Sequence, residues 1–289
     1  MIFIVQEEFK DHLMTSKKFH ASQRRDMILA TLRHEGLVTV PMIAKLCKTS
    51  EMTIRRDFDF LDELGLLART HGGAVLPNSP SAKRFDMIEP SLDRRIILNQ
   101  KEKFSIAALA AQQVEPNQTI ALDIGTTVFA LADRIKEMPV RVFSTSLPIV
   151  SHLGRSQASV YMPGGKVQGT EPSVAGVRAI EDLKRFHFDT AFIGVSGLAE
   201  DGFYDYSIEE TEVKSAIISQ SKHNVVLMDS SKFGRVSVAR VSCLSDIDQL
   251  ITDQQPSDPL KEALELAGVQ ILIASNIVAK MRKGISNGL

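Results

Sequence analysis

Arg55 and Arg56 stand in tandem in the run Ser50-Glu51-Met52-Thr53-Ile54-Arg55-Arg56. A guanidinium fork pairs bidentately with a guanine edge or a backbone phosphate, so the chemistry on offer is recognition of a polyanion. That chemistry needs an element that turns its apolar side inward and leaves the arginines outside. Ile54, Phe58 and Leu61 recur at i, i+4 and i+7, which predicts a helix with one buried stripe, and Ser50 suits its N-cap. Residues of the preceding turn and first helical turns then face a major groove, giving Lys48, Thr49, Ser50, Glu51, Thr53, Arg55 and Arg56 as contact candidates. Leu66 to Ala74 predicts a strand turning back at Gly72-Gly73. This is a wing whose Arg69 and His71 approach phosphates or the minor groove.

A second group of residues suits a small anion. Asp123-Ile124-Gly125-Thr126-Thr127 closes an apolar run and opens a helical one, so its backbone N–H groups and hydroxyls suit a phosphate, with glycine permitting close approach. Ser144-Thr145-Ser146 ends the next apolar run in the same way. Gly164, Gly165 and Lys166, then Gly194, Ser196 and Gly197, add flexible backbone donors, while Lys214 and Lys232 supply cations. Asp123, Glu209, Glu212 and Lys214 are acid–base candidates if the site turns over its ligand. The plainer reading of Glu209 and Glu210 is complementation of a helix dipole. Taken one at a time, the hydroxyl triplets also read as helix caps and the glycines as turn formers.

Other chemistries are excluded by spacing. Gly165-Lys166 lacks the Walker pattern, since Val160 and Val167 occupy the flanking positions. No GxGxxG, HExxH or CxxC occurs, and the seven histidines form no metal-ligand grouping, so neither metal nor dinucleotide cofactor is expected.

The elements that position the arginines are local. Ile28, Leu29 and Leu32 mark a first helix, with Ser22 as its expected N-cap and Glu35-Gly36 as its stop. Thr39 caps a short second helix with Pro41 in its first turn and Ile43 and Leu46 as its apolar stripe. Cys47 to Thr49 form the turn into the third helix. Further along, TIALDIG, VRVFSTS, SVYMPGG, DTAFIGVSG and NVVLMDSS alternate with segments expected to be helical, ending near Met138, Leu153, Phe186 and Lys222. LITD, a helix after Asp258 and VQILIA add one more strand–helix–strand unit, and the whole predicts a parallel α/β sheet. In such sheets ligands lie beyond the carboxyl ends of the strands at a switch in strand order, where the polar motifs fall.

The run SEMTIRRDFDFLDELGLLARTHGGAV resembles the winged helix-turn-helix of the DeoR family of bacterial transcriptional regulators. The resemblance continues through LDIGTT, STSLPI, PGGK, IGVSG, EETEVK and DSSKFGR, and covers about residues 20 to 275. It implies a repressor of a carbohydrate catabolic operon that binds double-stranded operator DNA as a homodimer or homotetramer. The implied body is similar to the ribose-5-phosphate isomerase and glucosamine-6-phosphate deaminase superfamily and senses a phosphorylated sugar, whose binding lifts repression. The alternative is an isomerase or deaminase carrying a DNA-binding head. Five positions depart from the family pattern: Lys48 replaces a usual glycine, Phe58 and Phe60 are bulkier than usual, and Ser144-Thr145 replaces Thr-Asn.

The expected organisation is an N-terminal extension (1–19), a winged helix-turn-helix domain (20–76), a Pro/Ser-rich linker (77–85), a sensor domain (86–275) and a C-terminal tail (276–289). Met14 is a possible native start. Asp86 to Ala111 reads as one helical stretch with solvated charges at Asp93-Arg94-Arg95 and Lys101-Glu102-Lys103. Charge divides the chain: residues 17–73 carry ten Lys/Arg and seven Asp/Glu, whereas the whole chain has a net charge of -1. Cys47 and Cys243 are too few for a disulfide scaffold or a zinc cluster and read as buried thiols. With no apolar run of spanning length and no signal-peptide pattern, the expected location is cytoplasmic.

Overall fold

The computed structural model describes residues 19–70, 72–76, 84–85, 89–169 and 171–274. His71, the extension up to residue 18, most of the 77–85 linker and the tail from residue 275 lie outside the described residues. The chain divides into two compact units, Met1–Arg84 and Phe85–Leu289.

In the first unit, α1 (Ala21–Glu35), β1 (Leu37–Thr39), α2 (Val40–Leu46), α3 (Glu51–Glu63), β2 (Ala68–Thr70) and β3 (Gly73–Val75) follow in order. The N-cap of α1 is His20 rather than Ser22: the His20 N–H donates to Gln23 Oε1 at 3.2 Å, and Ser22 lies inside the first turn. Gly36 ends α1 in the left-handed conformation, with its N–H on the Leu32 carbonyl at 2.9 Å. Thr39 and Ser50 cap α2 and α3, accepting from the N–H groups of Met42 and Thr53. Ile28, Leu32, Ile43, Ile54, Phe58, Leu61 and Leu67 share one core, and Cys47 joins it. Leu46 departs from its expected inward place and is exposed. The hairpin gains a third strand that apolar patterning did not reveal, β1, in the order β1-β3-β2, because Leu37–Thr39 is too short to show alternation. Gly73 is required there: a Cβ would stand 2.2 Å from the Val38 carbonyl oxygen.

The second unit opens with two helices, α4 (Leu92–Ile97) and α5 (Gln100–Ala111), in place of one continuous helix. Asn99 breaks them, at φ 51. A seven-stranded parallel sheet follows, built from β4 (Thr119–Leu122), β5 (Arg141–Ser144), β6 (Ser159–Tyr161), β9 (Thr190–Gly194), β12 (Asn224–Leu227), β14 (Gln249–Thr252) and β15 (Gln270–Ile273) in the order β15-β14-β12-β9-β4-β5-β6. Its five inner strands are largely buried on both faces, and the edge strands β6 and β15 are half-buried or exposed. Ile120, Leu122, Val142, Phe192 and Val225 pack with α5, α6 (Thr126–Ile135) and α7 (Leu147–Leu153), while Ala121, Phe143, Ile193 and Val226 pack with α8 (Val177–Leu183), α9 (Ile208–Ser219) and α10 (Asp258–Leu266). The change of helix face coincides with the jump from the β6 edge back to β9, so β4 and β9 flank the switch point.

Two expected helices are shorter than the periodicity suggested, because antiparallel elements precede them. β7 (Lys166–Gln168) and β8 (Ser173–Ala175) form a hairpin before α8. β10 (Gly197–Ala199) and β11 (Gly202–Asp205) form another before α9, extended by β13 (Ala239–Ser242). No helix among the described residues is long and apolar enough to cross a membrane. Cys243 is exposed, unlike Cys47.

Candidate functional site

The outer face of α3 carries Glu51, Arg55 and Arg56, all exposed, with Thr53 half-buried beside them. Arg55 Nη2 lies 3.4 Å from Glu51 Oε2 one turn earlier, both about half exposed, a pair worth only about 0.3–0.5 kcal/mol and readily exchanged for a phosphate. Arg56 makes no ion pair among the described residues. Lys48 adopts the left-handed conformation at φ 49 in the turn, exposed, beside Thr49, half-buried, and Ser50, exposed. The helix is oriented from behind by Asp57, 2% exposed, which accepts from Arg24 Nε at 2.7 Å and Arg25 Nε at 3.1 Å. Arg25 also lies over the Phe60 ring, 3.5 Å from its centroid, which gives the bulky Phe60 a contact.

Arg69 differs from its expected role. Its guanidinium pairs with Asp59 of α3, and its backbone N–H donates to Asp62 Oδ1 at 3.4 Å, so it fastens the wing to α3. The expected partner on the wing, His71, lies outside the described residues.

In the second unit the strand ends at the switch point converge on a buried ammonium. Lys214 rises from α9 with its side chain 1% exposed. It donates to Asp123 Oδ2 at the end of β4 and to the Gly194 carbonyl at the end of β9 at 2.9 Å, and it stands 3.2 Å from Asp205 Oδ2 at the end of β11. Asp123 Oδ2 also accepts the Gly194 N–H at 3.0 Å, tying the two strands that flank the switch. Gly194 permits this closeness, since a Cβ there would meet the Ile124 carbonyl oxygen at 2.6 Å. Burial opposes the Lys214 charge, but the Asp123, Asp205 and Glu210 carboxylates outweigh it and hold the ammonium protonated.

Beside this cage, Gly125 at φ +126 presents the first N–H of α6, with Thr126 and Thr127 next to it. The N–H is taken by Glu171 Oε1 at 2.9 Å. Glu171, 4% exposed, is held on its other oxygen by Arg95 Nη1 at 3.2 Å, and that same nitrogen reaches Glu89 Oε1 at 2.9 Å. Lys103 Nζ donates to the Arg95 carbonyl, which also receives the Thr126 hydroxyl at 3.5 Å. Lys232 Nζ donates to the Val195 carbonyl at 2.6 Å. Burial and then the nearby Lys232 push the Lys103 pKa down to about 8. Glu210, which accepts from the Ser173 hydroxyl at 3.0 Å, is pushed up to about 7 by burial, with Lys214 opposing.

Several expected ligand residues have other roles in this arrangement. Ser144 accepts the Ser146 N–H at 3.1 Å and Ser146 caps α7 through the Ile149 N–H at 3.3 Å, while the Thr145 carbonyl accepts the Val174 N–H at 2.9 Å. This triplet caps a helix and fastens the segment that carries Glu171 and Ser173. Gly164 donates to Asp182 at 2.9 Å, Gly165 packs on β8, where a Cβ would stand 2.6 Å from Val174, and Lys166 is exposed. Ser196 bonds the Tyr204 carbonyl at 3.0 Å and Ser237 at 2.7 Å, and Gly197 passes close to the Arg235 carbonyl oxygen, where a Cβ would stand at 2.4 Å. Glu212 is exposed, on the side of α9 away from Lys214; Glu210, one helical turn before Lys214, takes the inward place.

Sequence patterning passed over Arg95, Lys103, Glu171, Asp205 and Glu210. Arg95 and Lys103 read as solvated charges, yet both are turned inward, and Lys103 is only 6% exposed. The one available signal was Lys103 within an otherwise apolar face formed with Ile106, Ala107 and Ala110. Among the described residues, no group of three or more His, Cys, Asp or Glu is placed to hold a metal ion.

The model of a DeoR-like helix-turn-helix domain matches residues 24–80, and that of the DeoR C terminal sensor domain matches residues 98–254. The chain belongs to the DeoR family. A DeoR-family relative from Escherichia coli O157:H7, named a putative aga operon transcriptional repressor, is 31% identical over 87% of this chain and 93% of its own length. The glycerol-3-phosphate regulon repressor of Escherichia coli K12 is 28% identical over 86% of this chain and 98% of its own. Among solved structures, ribose 5-phosphate isomerase from Methanocaldococcus jannaschii is similar at 20% identity and a TM-score of 0.35, over 47% of this chain and 55% of that one. As a DeoR-family protein with this head, the chain is a DNA-binding transcriptional repressor and not an enzyme.

Proposed function

We propose that this repressor controls a carbohydrate-utilisation operon and leaves its operator when a phosphorylated sugar binds beside the switch point of the second unit. The observation that carries this reading is the meeting of the Gly125 N–H and the start of α6 with Arg95, Lys103 and Lys232. It is a cradle of positive charge next to the polar cage around Lys214. A phosphate monoester satisfies such a cradle, and the adjoining Asp205, Glu210 and Ser173 supply acceptors and a hydroxyl for sugar hydroxyls. Relatives named for the aga operon and the glycerol-3-phosphate regulon support the metabolic setting. The effector acts by binding the operator-competent and operator-incompetent states with different affinities. The small positive excess of the head favours paired heads on a palindromic site with half-sites about one helical turn apart.

The test is a thermal-shift panel of sugar phosphates and their free sugars on the full chain, followed by operator-binding titrations with each stabilising compound. A sugar phosphate that raises the melting temperature and releases operator DNA is the expected result. A panel in which free sugars alone stabilise the protein, or in which stabilising compounds leave operator binding unchanged, refutes the reading.

A further inference from the structure

An anion already lies in the cradle, and it belongs to the chain. Glu171 Oε1 accepts the Gly125 N–H at 2.9 Å, where the first free donor of α6 meets the positive end of the helix dipole, and Glu171 Oε2 lies 3.2 Å from Arg95 Nη1. This carboxylate is 4% exposed, and Oε2 is buried with no hydrogen bond beyond its ion pair with Arg95. Two further cations stand close by without reaching it: Lys103 Nζ donates a hydrogen bond to the Arg95 carbonyl, and Lys232 Nζ donates one to the Val195 carbonyl. Burial lowers the pKa of both lysines. Asp229 faces both lysines and Glu89 shares the Arg95 guanidinium, so Glu171 is the carboxylate of this group that also holds the Gly125 N–H.

We infer that Glu171 is a built-in competitor: its carboxylate occupies the place of the effector's phosphate, and an incoming phosphate must displace it from Gly125 and Arg95. This rests on the reading of the site as a phosphate site. A tethered carboxylate competes at a high effective concentration, so only a ligand with more charge and more acceptor oxygens wins the cradle. Free sugars are thereby rejected, and the threshold for release of DNA is set by a residue of the repressor itself. The segment to be moved is fixed to its neighbours by the Leu147 N–H on the Pro172 carbonyl at 3.0 Å and the Ser173 hydroxyl on Glu210 at 3.0 Å. Displacement of Glu171 is thus felt at α7 and α9.

The experiment measures calorimetric binding of inorganic phosphate, and of the sugar-phosphate panel, to the full chain and to Glu171→Ala, Glu171→Gln and Glu171→Ala/Lys103→Ala. Melting curves for each variant check folding. Glu171→Ala is expected to bind phosphate at least about tenfold more tightly than the unaltered chain, with Glu171→Gln between them because it keeps an acceptor without the charge. Adding Lys103→Ala removes the gain, which places the phosphate in this cradle. If Glu171→Ala melts early, the Gln variant alone carries the comparison. Binding that is unchanged or weakened in both Glu171 variants overturns the inference, as does a gain that survives Lys103→Ala. If the unaltered chain still binds a sugar phosphate in that case, the proposed function stands and only the competitor fails. If no chain binds phosphate or any sugar phosphate, both fail together.

Discussion

Arg56 and Lys214 carry the same charge in opposite settings. Arg56 stands exposed on the outer face of α3 with no ion pair among the described residues, while Lys214 is 1% exposed inside a ring of acceptors. The outer face of α3 keeps its cations solvated and weakly paired, ready to exchange water and counterions for phosphates. The body encloses its central cation and pairs it internally, where it joins β4, β9 and α9 and does not wait for a partner. Positive charge in a DNA-reading surface is thus a binding reserve, whereas in the core of the second unit it is a structural rivet beside which the proposed phosphate cradle is assembled.

The largest effect that contrast predicts is at the rivet. Lys214→Ala leaves Asp123, itself 1% exposed, as a buried carboxylate without its counter-charge, a loss of about 3–5 kcal/mol. For a unit of this size the melting temperature of the body should fall by roughly 10 °C, and replacing the pair together, as Asp123→Asn with Lys214→Met, should recover much of that loss. Scanning calorimetry reads both. A fall in Lys214→Ala of less than about 2 °C would place this lysine in the same solvated class as the arginines of the head and dissolve the contrast.

Arg56→Ala comes next, and its effect is on binding and not on stability. Operator affinity should drop by roughly tenfold to a hundredfold, the range of about 1–3 kcal/mol for one base or phosphate contact, while the melting temperature stays within about 1 °C. Titrations at several salt concentrations sharpen the assignment. A phosphate contact reduces the slope of log affinity against log salt by about one, and a base contact leaves it nearly unchanged. An operator affinity equal to that of the unaltered chain would remove Arg56 from the interface.

The two regions also differ in how far their sequence discloses them. The head's helices declare themselves through local rules: Ile54, Phe58 and Leu61 at helical spacing, Ser50 as a cap that accepts the Thr53 N–H, and Gly36 as a stop. Each of these rules acts within a few residues, so patterning reaches them. The strands of the body were equally legible, because runs such as Thr190–Gly194 are apolar on both faces. The cradle was only half legible. Asp123, Gly125 and Lys214 lie in motifs at strand ends or on α9, but Arg95, Lys103 and Glu171 come from segments whose local pattern says only that they are charged. What turns them inward is tertiary: the break at Asn99 separates α4 from α5, and Ser146 and Leu147 clamp the segment that carries Glu171. Arg69 shows the converse. Its place on the wing was legible, but its pairing with Asp59, ten positions earlier, was not, and that pair decides its role.

The smallest effect separates folding from recognition within the head itself. Lys48 holds the left-handed conformation at φ 49 in the turn before α3, which costs a side chain other than glycine about 1 kcal/mol. Lys48→Gly should relieve up to about that much, offset in part by the extra freedom glycine brings to the unfolded chain, so the head's melting temperature rises by a few degrees at most. The same substitution removes an exposed cation next to the first turn of α3 and should weaken operator binding severalfold and lower the salt slope. Opposite signs in the two measurements would mean that the lysine is kept at a strained position for its charge. If stability rises and operator affinity does not move, Lys48 belongs to the turn alone, and the solvated cations that define the head's reserve reduce to those on α3.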